Sequence, residues 1–167
     1  MFSTFAIHPL LVFPFAGLLV WAAIGDLATL TIPNRIPLSI VSLYFIYAFF
    51  APTDLDLAGS FITGAAIFLV GIVLFATGGM GGGDVKLMAA VGLWAGPEFI
   101  IGFLIVTGVA GGLLALVACT PLRSVAARAQ LVLIPGFVPA PQLKGKIPYG
   151  LAIAAGGLYV AIRMLQL

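Results

Sequence analysis

The stretch 57-LAGSFITGAAIFLVGIVLFAT-77 runs for 21 residues without a charged side chain. An α-helix rises 1.5 Å per residue, so the segment covers roughly 30 Å, the thickness of the hydrocarbon core of a bilayer. It is continuously apolar, whereas a strand of a membrane barrel alternates between lipid-facing and lumen-facing residues. Read as a membrane-crossing helix, it decides the class of the whole chain.

Working outward, charges and prolines divide the rest into similar runs. They are Pro9 to Gly25, Ile36 to Ala51, Val85 to Gly96, Phe99 to Thr120 and Pro148 to Ile162. With Leu57 to Thr77 these make about six transmembrane helices, of which the fourth, Val85 to Gly96, is short. Pro33 and Pro37 flank the start of the second helix, Pro52 closes it, and Gly96-Pro97 separates the fourth from the fifth. Composition agrees: 63% of the 167 residues are hydrophobic and 7% charged, against roughly 25% charged in a soluble domain. So few charges cannot cover a water-exposed surface, so lipid must. The expectation is one all-α integral-membrane domain over 1–167. No run of Lys and Arg tracks phosphates, which argues against a nucleic-acid partner.

Basic residues set the direction, because loops rich in Lys and Arg stay in the cytoplasm. An external N-terminus puts Arg35, Lys86, Arg123, Arg128, Lys144 and Lys146 on the cytoplasmic side and Asp54, Asp56 and Glu98 on the other. Arg163 is the exception. Between Pro121 and Pro135 apolar residues recur at helical spacing around Arg123 and Arg128, the pattern of an amphipathic helix lying on the cytoplasmic leaflet before the last span. An irregular loop is the other reading, given Pro135, Pro139 and Pro141. Asp54 and Asp56 read as solvated loop residues, and Glu98 as solvated or as a cap of the fifth helix.

Asp26 and Asp84 differ, because each adjoins a span and both fall on the predicted cytoplasmic side, where they can meet. Ionisable groups beside spans tend to face the protein interior and carry function; the competing reading is that they mark helix ends at the headgroup level. Asp84 follows Gly78-Gly79-Met80-Gly81-Gly82-Gly83, a backbone free to approach another chain closely. Its peptide groups would be open to an extended substrate by strand addition. A phosphate loop fits poorly, since Asp84-Val85-Lys86 stands where Gly-Lys-Ser/Thr would be. Two carboxylates sharing a site retain one proton between them. One can then take a proton from an attacking water while the other donates to the scissile carbonyl. That chemistry calls for no metal or cofactor. His8 is the single histidine and is predicted on the far side, and Cys119 lies in an apolar run, so histidine-based triads and zinc sites lack members.

At these residues the sequence resembles the type IV prepilin peptidase family of GxGD membrane aspartic proteases. Gly81-Gly82-Gly83-Asp84-Val85-Lys86 reads as the GxGDxK element. Gly25-Asp26 with Ile32-Pro33-Asn34-Arg35 resembles the other aspartate and its I-P-N turn, and Lys146-Ile147-Pro148-Tyr149-Gly150 resembles the K-x-P-Y-G start of the last helix. The resemblance implies catalytic Asp26 and Asp84, with Gly81, Gly83, Lys86, Asn34, Lys146, Pro148 and Tyr149 binding substrate or supporting them. Asn34 is as well explained as a helix cap, and Lys86 as a side chain reaching the headgroups. The resemblance further implies removal of a short basic leader from prepilin or pseudopilin substrates. The cut falls after a glycine at the cytoplasmic face of a bacterial or archaeal cytoplasmic membrane. Long members of the family insert a cysteine-rich methyltransferase region between the first two helices. Leu27 to Arg35 leaves no room for one, so the chain resembles the short peptidase-only form of tight-adherence (Flp-type) pili. Presenilin-like proteases share GxGD but carry Tyr-Asp and Pro-Ala-Leu elements that are not matched here. A small transporter or assembly subunit with a proton-carrying aspartate pair remains the alternative from another class.

Overall fold

A computed structural model describes the backbone of residues 2–50, 55–119 and 148–166, and the side chains of 10–50, 55–117 and 148–166. Five helical elements make up the described chain: α1 (Phe2–Thr29), α2 (Arg35–Phe50), α3 (Leu57–Ala76), α4 (Gly82–Cys119) and α5 (Tyr149–Met164). Three stretches are long and apolar enough to cross a membrane, Leu10–Thr29, Leu57–Ala76 and Gly82–Val117, while α2 and α5 are shorter apolar helices. Their outward faces carry large exposed hydrophobic side chains such as Phe13, Trp21, Phe49, Ile62 and Ile101. Such a surface is stable only against lipid. The expected amphipathic segment between Pro121 and Pro135 lies outside the described residues.

The fourth element is two helices in series. Gly96 adopts φ 52 and ψ −170, a conformation open to glycine and strained for other residues, and Pro97 follows with no N–H to continue the ladder. Packing shows that the chain reverses there. Along α5, Gly150 faces Asp26 and Gly157 faces Leu19 and Val91, so limb 82–95 runs alongside α5 in the same direction. In limb 97–119, Gly102 faces Tyr159 and Gly111 faces Tyr149 and Ala152, so this limb runs back against α5. The break expected at Gly96-Pro97 is therefore a hairpin within one helical element. It divides this element into two limbs of opposite direction, the first of them short.

Helix ends depart from the expected bounds where backbone hydrogen bonding, rather than hydropathy, decides them. The first helix does not stop at Gly25: it continues to Thr29 and ends at Leu30, whose left-handed φ of 51 breaks the ladder. Leu30 N–H still bonds Asp26 O at 2.8 Å, and Thr29 Oγ1 bonds Gly25 O at 2.9 Å. Asp26 is thus a member of the last turns of α1. At the start of α3, Asp56 is a helix cap and not merely solvated, since Gly59 N–H donates to its Oδ1 at 2.8 Å. Glu98 is exposed just beyond the hairpin.

The hydrophobic core draws on α1, α2, both limbs of α4 and α5. Phe15 of α1 stacks on Trp94 of α4 with ring centroids 4.3 Å apart, and Trp94 Nε1 donates to Ile40 O of α2 at 3.1 Å. Small residues let α3 and α4 touch: Gly71 faces Val85, and Gly64 faces Leu93 and the Ala89 carbonyl. Where lipid replaces water, such close backbone approach takes over much of the role of hydrophobic burial.

Candidate active site

The site lies at the end of the bundle where α1 finishes and α2, α4 and α5 begin. Asp26 is 4% exposed, and its Oδ2 accepts the Gly150 N–H at 2.7 Å. This contact joins residues 124 positions apart. It also balances an electrostatic conflict. Near the C-terminus of its own helix a carboxylate faces unpaired carbonyls, but Gly150 is the second residue of α5, whose N-terminal amides favour an anion. Gly150 has to be glycine for this approach, because a Cβ there would stand 2.7 Å from Asp26 Oδ2 and 2.9 Å from its Cβ.

Asp84 sits in the first turn of α4, half-buried, accepts the Gly81 N–H, and lies close enough to feel the charge of Asp26. Gly81 precedes the helix and Asp84 is its third residue, so the side chain reaches back as the third residue of a capping box does. Gly83 packs the start of α4 onto the turn after α1: a Cβ at Gly83 would lie 3.1 Å from Ile32 Cβ and 3.2 Å from Ile32 O. Ile32 is itself buried. The turn from Leu30 to Asn34 and the first turn of α4 are therefore one packed unit with an aspartate on each side.

Part of the backbone of the glycine run is already bonded within the protein. Gly78, at φ 76, and Gly79 close α3, their N–H groups bonding Phe75 O at 3.0 Å and Leu74 O at 2.9 Å in the paired pattern of a glycine helix stop. Gly81 O accepts the Val85 N–H at 3.1 Å while its own N–H serves Asp84. Gly82 and Gly83 are already helical. Strand addition to the N–H groups of Gly78, Gly79 and Gly81 is blocked by these bonds.

The remaining sequence candidates divide. Lys86 Nζ donates to Asn34 Oδ1 at 2.8 Å, tying α4 to the turn before α2. Asn34 carries the backbone role of a cap, with its carbonyl accepting Leu38 N–H at 3.2 Å, but its side chain serves Lys86. Pro148 precedes α5 and makes no side-chain cap bond, although its carbonyl accepts Leu151 N–H at 3.3 Å. The Tyr149 ring lies against Gly111 of the returning limb. Lys146 lies outside the described residues, as do the side chains of His8 and Cys119. Sequence reasoning missed Gly150 and Ile32 as parts of the site. The K-x-P-Y-G pattern contains Gly150, but nothing local announces that its amide meets Asp26.

Comparison with known proteins follows the same residues. The type IV leader peptidase family profile matches residues 13–116, which include both aspartates. The prepilin leader peptidase/N-methyltransferase of Bacillus subtilis (strain 168) is 35% identical over 89 residues, covering 52% of this chain and 35% of that protein. The match thus spans about a third of the relative's length. No solved structure matches the chain. With the family profile covering well over half of the residues, the chain belongs to the type IV leader peptidase family.

Proposed function

We propose that the protein is a membrane aspartic endopeptidase that removes the leader of type IV prepilin-like, Flp-type precursors at the cytoplasmic membrane face. The observation that supports this reading is that Asp26, at the end of α1, and Asp84, at the start of α4, flank one packed unit at the same end of the bundle, each accepting a single backbone N–H. With Gly150 on Asp26 Oδ2, the second oxygen of that carboxylate is left for a water. The dyad holds one proton between its members. The ionised partner takes a proton from water as it attacks the scissile carbonyl, and the protonated partner donates to the carbonyl oxygen and then to the leaving nitrogen. Roles are not divided between named residues, because the titration belongs to the pair.

The positive-inside pattern puts this end of the bundle in the cytoplasm, where a precursor anchored by its own apolar helix presents a basic leader. Diffusion is then confined to two dimensions. The nine residues from Leu27 to Arg35 hold no methyltransferase region, so we infer proteolysis without N-methylation.

Co-expression with candidate Flp-type prepilins tests this, with leader loss read by gel shift. Wild type is expected to shorten the precursor, and Asp26→Asn and Asp84→Asn to leave it intact. A variant with either substitution that still matures its pilin overturns the dyad. Intact precursor with every variant and with wild type alike, together with proton flux that depends on the aspartates, would favour a transporter.

A further inference from the structure

A groove of about 490 Å³ opens between α2 and α3, floored by α4. Leu38, Val41, Phe61, Ala65, Phe68 and Leu93 give it apolar walls, and its two polar members, Asn34 and Lys86, sit together at one end. The lining holds no acidic side chain. Lys86 is exposed and gives one N–H to the neutral Asn34 Oδ1, so nothing in the groove balances its charge.

Helix geometry sets this groove apart from the aspartates. Lys86, Ala89, Ala90 and Leu93 line it and follow the i, i+3, i+4, i+7 spacing of one helix face. At about 100° per residue, Asp84 points roughly 200° away from Lys86, to the opposite side of the same limb. A peptide held at Asp84 therefore does not lie in the groove. Lys86 to Leu93 covers about 10 Å of helix, within the roughly 15 Å of one leaflet, and the charged end is level with the end of the bundle. An apolar channel of leaflet depth with an unbalanced cation at its mouth complements a molecule with an anionic head and a hydrocarbon tail.

We propose that this groove is a binding site for an anionic phospholipid, its acyl chain between α2 and α3 and its phosphate on Lys86. The assignment is independent of the proteolytic reading. It places a lipid on the back of the limb that carries Asp84 and against the turn that holds Ile32.

The test uses the full chain in nanodiscs of equal phosphatidylglycerol and phosphatidylcholine, with lipids retained after mild detergent extraction counted by mass spectrometry. Wild type is expected to retain phosphatidylglycerol about fivefold over phosphatidylcholine, the preference that one basic residue confers at a membrane surface. Lys86→Arg should keep the preference and Lys86→Gln should abolish it. Ala65→Trp, which fills the groove without touching the charge, should lower retention of phosphatidylglycerol. Equal retention of the two lipids by wild type, a preference that survives Lys86→Gln, or retention unchanged by Ala65→Trp overturns the site. So does displacement of the lipid by added inorganic phosphate, which would mean a bare anion site. Displacement by a prepilin-like apolar peptide overturns it too, making the groove a substrate seat.

Discussion

Replacing Gly150 by alanine tests the site through a single methyl group. A Cβ at residue 150 would stand 2.7 Å from Asp26 Oδ2 and 2.9 Å from Asp26 Cγ, closer than real Cβ contacts come. The atoms it meets belong to a buried side chain on a helix, so either the carboxylate rotates away or α5 retreats. Each outcome breaks the 2.7 Å bond from the Gly150 N–H to Oδ2. A hydrogen bond to a charged group contributes about 1.5–3 kcal/mol. If that bond orients the acid in the transition state, its loss corresponds to roughly tenfold to hundredfold in kcat/KM, at about 1.4 kcal/mol per factor of ten. Stability should fall as well, since the lost bond and an overpacking cost of about 1–3 kcal/mol outweigh the roughly 1 kcal/mol of helix propensity that alanine gains over glycine, so cleavage is compared at a temperature where both proteins are folded. The assay is leader removal from a prepilin-like substrate by purified protein, run beside a thermal melt. Gly17→Ala on α1, where a Cβ meets nothing within 4 Å, is the matched control and should cleave like wild type. Cleavage by Gly150→Ala at the wild-type rate, with the fold intact, would refute the claim that this amide holds Asp26 in its working position.

Other outcomes follow from the same contacts. Asp26→Asn and Asp84→Asn should each lower turnover by about 10²-fold or more, the usual worth of a positioned acid or base, with unchanged melting behaviour as the control. Gly83→Leu should slow cleavage, since its Cβ starts 3.1 Å from Ile32 Cβ and its longer side chain must push the first turn of α4 off the α1–α2 turn; wild-type cleavage would contradict that packing. Gly71→Ala should destabilise by about 1–3 kcal/mol because its Cβ would lie 2.6 Å from Val85 Cγ1. Adding Val85→Ala should recover part of that loss, a coupling readable in a double-mutant cycle of melts. Asp56→Ala should cost about 1 kcal/mol through loss of the α3 cap, with no change in kcat.

Much of this architecture is legible in the order of residues, and what is not has a common cause. Apolar runs mark helices because lipid demands them, and Gly96-Pro97 marks the reversal because the glycine accepts a left-handed φ and the proline after it has no donor to continue the ladder. That Asp26 and Asp84 lie at the same end of the bundle follows from counting the helices between them. The end of α1 is hidden in the sequence because a charge does not stop a helix; a left-handed residue does, and Leu30 is not a residue type that announces one. Composition makes the glycine run look open throughout, and it does not say that two of its amides already bond Phe75 and Leu74. The role of Gly150 is not legible locally because it is defined by a partner 124 residues away. Lys86 and Asn34 lie 52 residues apart, and only the fold makes them a pair.

The dependence of Asp26 on an amide from α5 bears on the order in which the protein is made. A nascent chain that has emerged only as far as residue 147 carries both acids, yet the first of them has no donor to orient it. The donor arrives only with α5, so the setting of Asp26 waits on a helix made long after the acid itself.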